Sequence, residues 1–77
     1  MSVYYRIRPV KNVPVNHAKI ETYPSYHLAI RRAAEKLYAC RLAGYHAVFE
    51  IDRVHESDGS LFIQTIDRKE YKENGSE

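Results

Sequence analysis

Residues 24–44, PSYHLAIRRAAEKLYACRLAG, decide the fold. Apolar side chains recur at Tyr26, Ile30, Ala33, Leu37 and Cys40, spacings of 4, 3, 4 and 3 that line one stripe of an α-helix, with Ala29 and Ala34 beside it. Both ends are punctuated. Ser25 is placed to cap the first turn, its hydroxyl accepting an orphan backbone N–H, although a start at Thr22 with Pro24 in the first turn satisfies the same pattern. Gly44 supplies the left-handed residue that ends a helix. Alanines at 29, 33 and 34 let such a helix approach a sheet closely, so the flanking segments must supply the sheet.

They alternate with a period of two instead of 3.6. Val3, Tyr5 and Ile7 interleave with Tyr4, Arg6 and Arg8, which predicts a first strand ending at Pro9. Residues 11–16 are rich in turn formers, and Pro14 cannot donate to a central ladder. A second, weakly apolar strand is expected over 17–22, with Ala18 and Ile20 inward. Beyond the helix, 45–54 reads as the strongest strand, with Ala47, Phe49 and Ile51 on one face and Val48, Glu50 and Asp52 on the other. Asp58-Gly59 suits a hairpin turn, and 61–66 returns beside 45–54. A two-residue turn sets Ile51 opposite Ile66 with Phe62 on their side. A slip of one residue would bury Leu61 and Ile63 instead, and both registers stay open.

The predicted architecture is α+β: a four-stranded antiparallel sheet with one helix packed on one face, in the order β-β-α-β-β. It forms a single domain over 1–68, followed by a charged tail at 69–77 expected to be mobile. Seventy-seven residues leave no room for a second core, because each half would fall below the ~40 residues that need external staples. A core this small also leaves little surplus stability for a strained active site, so the expectation is a binding protein and not an enzyme. No apolar run of membrane-spanning length exists, and Met1-Ser2-Val3-Tyr4-Tyr5-Arg6 lacks the basic start and apolar stretch of a signal peptide. No membrane contact and a cytoplasmic location are therefore expected. The lone Cys40 excludes an internal disulfide and a thiolate metal cluster.

The formal charge of +2 conceals a polarised chain. Residues 1–45 hold eight basic and two acidic side chains, a charge of +6, and residues 46–77 hold four and eight, a charge of −4. The basic half therefore supplies the candidate binding residues. Arg6 and Arg8 share one strand face with Tyr4, and Leu28, Arg31, Arg32 and Tyr38 lie opposite the helix core stripe, together with Glu35 and Leu42. Two leucines and a tyrosine among arginines exceed what a solvated helix face needs, though Arg31 and Glu35 also form an ordinary i, i+4 pair. Tyrosines interleaved with arginines over 4–8 also fit stacking on bases and contact with phosphates, the alternative being that these tyrosines are simply strand formers.

Metal and cofactor chemistry find no foothold. His17, His27, His46 and His55 include no i, i+4 helix pair, and His46 and His55, nine apart, fall on opposite faces of a regular strand. Cys40 lies on the buried stripe, where cysteine behaves as a small hydrophobe, and no glycine-rich phosphate loop exists. Acid–base cleavage of RNA could draw on His17, His46, Glu50, Tyr45 and Arg6, but nothing in their spacing compels it. No catalytic residue, metal or cofactor is assigned.

One Ala-rich helix entered at Pro24-Ser25 and left at Gly44, then the hairpin from Ala47-Val48-Phe49-Glu50-Ile51 to Leu61-Phe62-Ile63, resembles compact phage-encoded inhibitors, including some small anti-CRISPR proteins, over residues 17–68. That group shares no catalytic motif, so no residue role carries over. The resemblance implies a stable plug that occupies a nucleic-acid-binding surface on a larger protein or ribonucleoprotein complex; the net positive charge departs from the acidic DNA mimics of the group. Direct binding of DNA or RNA is the alternative, and a small RNA-cleaving toxin a distant third. An uncovered sheet face bearing Tyr4, Val48 and Val54 further predicts a symmetric homodimer.

Overall fold

Alternation near the N-terminus becomes a ten-residue strand in the interior of the sheet. In the computed structural model, which describes residues 2–70, strand β1 (Ser2–Lys11) is followed by a 3-10 turn (Val15–His17), β2 (Glu21–Tyr23), helix α1 (Tyr26–Leu42), β3 (Val48–Ser57) and β4 (Ser60–Glu70). The class is α+β, and the four strands form one open antiparallel sheet in the order β2-β1-β3-β4. Ile7 sits opposite Ile51, and Tyr4, Arg6 and Arg8 sit opposite Val54, Asp52 and Glu50, so the two side-chain sets of β1 and β3 separate cleanly.

Ile7, Phe49 and Ile51 form the core with Ala47 and with Ala29, Ala33 and Cys40 of α1. Tyr26, Ile30, Leu37 and Ile66 pack around it. The small stripe does what its composition implies, since three side chains no larger than cysteine bring the helix backbone close to Phe49 and Ile51. Ser25 caps α1, its Oγ accepting from Leu28 N at 3.2 Å. At the other end Gly44, with φ of +90°, donates to Arg41 O, and Tyr45 N donates to Cys40 O at 2.9 Å, the paired bonds of a Schellman cap.

Several expectations are corrected. The second strand is not at 17–22: His17 ends the 3-10 turn, Ile20 is half exposed, and β2 comprises only Glu21–Tyr23, paired with residues 5–7 of β1. Nor does β1 stop at Pro9, which pairs with Phe49 in mid-strand. Since β2 is so short, β1 has a free edge there, and the missing N–H of proline costs no bond on that side.

The helix stripe is also rotated. Lys36 is buried with Ala29, Ala33 and Cys40, whereas Ala34 is exposed and Leu37 half-buried. In the hairpin, Ser57 pairs with Ser60 across the two-residue turn, but a bulge shifts Ile51 from Ile66 to Asp67. The two-residue-turn register thus holds from Ser57–Ser60 to Asp52–Thr65 and Ile66 packs against the core, while the slipped register is excluded and Leu61, Phe62 and Ile63 are all exposed. Strand β4 continues through Lys69 and Glu70, into the stretch expected as tail. Residues 71–77, the rest of that tail, lie outside the described residues. None of the helices among the described residues is long and apolar enough to cross a membrane.

Candidate interaction surfaces

The face carrying Tyr4, Arg6 and Arg8 is charged, and its charges are spent on one another. Asp52 is fully buried there and accepts from Arg6 Nε at 2.7 Å, Arg8 Nε at 3.0 Å, Arg8 Nη2 at 3.2 Å and Thr65 Oγ1 at 2.8 Å. Arg8 Nη2 also donates to Glu50 Oε1 at 2.7 Å, and Arg68 approaches the other Glu50 oxygen at 3.5 Å. Burial by itself would raise the pKa of Asp52, but hydrogen bonds from Arg8, Arg6 and Thr65 outweigh it and hold the carboxyl at about 2. Those to Asp52 and Glu50 likewise hold the Arg8 guanidinium above its ordinary range. Tyr4 is half-buried opposite Val54, itself fully buried, and Val48 is buried too, so the apolar face expected for a dimer does not exist.

A second cluster ties the short β2 to the helix. Glu21 accepts from Lys36 Nζ at 2.9 Å, from Arg32 Nε at 3.0 Å and from the Tyr23 hydroxyl. Burial pushes its pKa up, yet these donors bring it down to about 2. Lys36 reaches Glu21 with its ammonium 5.6 Å from the centre of the Phe49 ring, so its stem lies in the core and its charge at the rim. Arg32 also bridges to Glu35 at 3.3 Å.

The outer stripe of α1 is different. Leu28, Tyr38 and Leu42 are 42%, 62% and 70% exposed, and with Arg31 and Glu35 they recur at intervals of 3 and 4. Arg31 is exposed and has no acidic partner among the described residues. Thus the seven residues singled out from sequence do not form one site. Tyr4, Arg6 and Arg8 project from the sheet face opposite Ile7, whereas Leu28, Arg31 and Tyr38 project from the helix away from Ile7, and Arg32 is held by Glu21.

Sequence reasoning missed the far end of the β3–β4 hairpin. The molecule is 47 Å long, well beyond the about 25 Å of a 17-residue helix. Next to the hairpin turn, Leu61, Phe62 and Ile63 are 53%, 61% and 49% exposed. A shallow cavity of about 180 Å³ is lined there by Arg53, His55, Phe62, Ile63 and Gln64. The His55 Nε2 is buried without a hydrogen-bond partner among the described residues. Three adjacent apolar residues were the available signal, but alternation assigns half of any such run to a core.

Among the described residues no three His, Cys, Asp or Glu side chains converge as metal ligands. Of the acid–base set, Glu50 and Arg6 are engaged in the Asp52 network, His17 belongs to the 3-10 turn, and Tyr45 and His46 follow the helix. No family model, curated protein or solved structure matches this chain.

Proposed function

We propose that this chain is a non-catalytic binding protein that engages a protein partner through the outer stripe of α1, with Tyr38 and Leu42 as apolar anchors and Arg31 meeting an acidic group. The α1 helix lies on the Ile7–Phe49–Ile51 face, which leaves its Leu28–Leu42 stripe turned outward and the Asp52 network on the uncovered face. The observation that carries this is the exposure of three large apolar side chains on one helical stripe beside an arginine with no internal acidic partner among the described residues. Tyrosine and arginine dominate binding hot spots, because each covers a large area at fixed geometry.

Direct nucleic-acid binding by Arg6 and Arg8 is less well supported. Cations that already neutralise Asp52 and Glu50 release few counterions on meeting phosphate. That the partner belongs to a complex handling nucleic acid, and that the protein inhibits it from a phage or mobile element, rests on the resemblance to small phage-encoded inhibitors alone.

Affinity capture with the full chain, with and without nuclease, tests the proposal. A partner retained after nuclease and lost with the combined Tyr38→Ala and Leu42→Ser changes is the expected result. Loss on nuclease treatment together with indifference to the helix changes would overturn it.

A further inference from the structure

We infer that β4 is a self-pairing edge, through which two copies join antiparallel into one eight-stranded sheet with the two-fold axis at Ile63. Strand β4 is the last strand of the sheet among the described residues, so its outer N–H and C=O groups have no strand partner there. Its first seven residues, Ser60 to Ile66, contain no charge, proline or glycine, the devices that normally keep a free edge from pairing. Leu61, Phe62 and Ile63 stand exposed on that same segment.

Geometry restricts the pairing. Asp58 and Gly59, both at positive φ, form a two-residue turn closed by Ser57 and Ser60. Hydrogen bonds alternate along the hairpin from that closing pair, which turns the backbone groups of Leu61, Ile63 and Thr65 to the free edge. A two-fold axis normal to the sheet pairs odd residues with odd. The axis that matches the whole uncharged segment with itself then passes through Ile63: Leu61 faces Thr65, Phe62 faces Gln64 and Ile63 faces Ile63 of the other copy.

Charge selects the same register. Beyond the bulge at Ile66 and Asp67 the pairing runs one residue further along β4, which brings Asp58, exposed at the turn, to the basic Arg68-Lys69 segment of the other copy, twice by symmetry. Arg68 is exposed, and its contacts to Glu50 and Glu70 are long, 3.5 and 3.6 Å. Moving the axis one residue toward the C-terminus would carry Leu61 and Phe62 onto the charged Asp67-Arg68 segment. This occupant is independent of whatever binds the helix stripe.

The test is light scattering of the full chain from low to high micromolar concentration, combined with cysteine cross-linking. Dimer mass is expected for the wild type and monomer mass for Ile63→Lys, with unchanged circular dichroism. Under mild oxidation Ile63→Cys should form a disulfide dimer, since facing residues of a hydrogen-bonded pair are about 5.5 Å apart at Cα, inside the bonding range. Leu61→Cys should not, because Leu61 faces Thr65 and its counterpart lies four residues, about 13 Å, further along. The native Cys40 is buried and does not interfere. Monomer mass at every concentration, or faster cross-linking at 61 than at 63, would overturn the inference. The first result would leave the edge to a strand of another protein.

Discussion

Asp52→Ala should be among the most damaging single changes in this protein. It removes the acceptor of four hydrogen bonds from Arg6, Arg8 and Thr65, and leaves two guanidinium groups facing each other with only Glu50 between their charges. Breaking a buried ion pair on one side costs about 3–5 kcal/mol. Both arginines keep roughly a third of their surface in water, which lets them relax, so the lower end, about 3 kcal/mol, is the better figure.

The ionisation of Asp52 gives an independent check. A carboxyl held at about 2 instead of 3.8 contributes about 2 kcal/mol. Because the folded value is the lower one, that stabilisation is complete above pH ~4 and is lost as pH falls through about 2. Urea unfolding followed by circular dichroism at pH 7 reads the change. With a slope near 1 kcal/mol per molar for so short a chain, the midpoint should fall by about 2–3 M. The variant should also lose part of the acid slope between pH 4 and 2, retaining the part due to Glu21, which is lowered from 4.5 to about 2. A midpoint within about 0.5 M of wild type would show that the network contributes nothing net.

Leu37→Ala should destabilise by about 2 kcal/mol, the low end for leucine because the side chain is half-buried; thermal denaturation checks it, and an unchanged midpoint would place Leu37 outside the packed layer. Gly44→Ala should cost about 1 kcal/mol from backbone strain alone, since a Cβ there meets nothing within 4 Å, and Gly44→Asn should recover part of it in the same assay. Chelator treatment should leave the melting temperature unchanged; a fall would reveal a metal coupled to folding.

The helix and the hairpin turn were legible because their signals are local. Ser25, Gly44 and Asp58-Gly59 act within a few residues of themselves, and alternation in 3–8 and 47–52 identified the Ile7–Phe49–Ile51 core face. What was not legible depends on contacts distant in sequence. A three-residue strand such as Glu21–Tyr23 carries too few positions for a period, and it is held by Lys36 and Arg32 from the helix. Lys36 in the core contradicts every hydropathy pattern until Glu21 is seen to receive its charge. The basic face disappeared for the same reason: Arg6 and Asp52 are 46 residues apart, and only the β1–β3 register shows that they cancel. The +6 and −4 halves of the chain are thus folded against each other.

Site-specific photocross-linking in cells distinguishes a partner on the helix stripe from one on the sheet face. A photoreactive aromatic residue is placed at Tyr38 on the helix stripe, or at Tyr4 beside the paired arginines, and the adducts are separated after nuclease digestion. A discrete protein adduct from position 38 that survives nuclease, and none from position 4, is the expected result. Adducts from position 4 that nuclease removes, with position 38 silent, would contradict it and return the function to the sheet face.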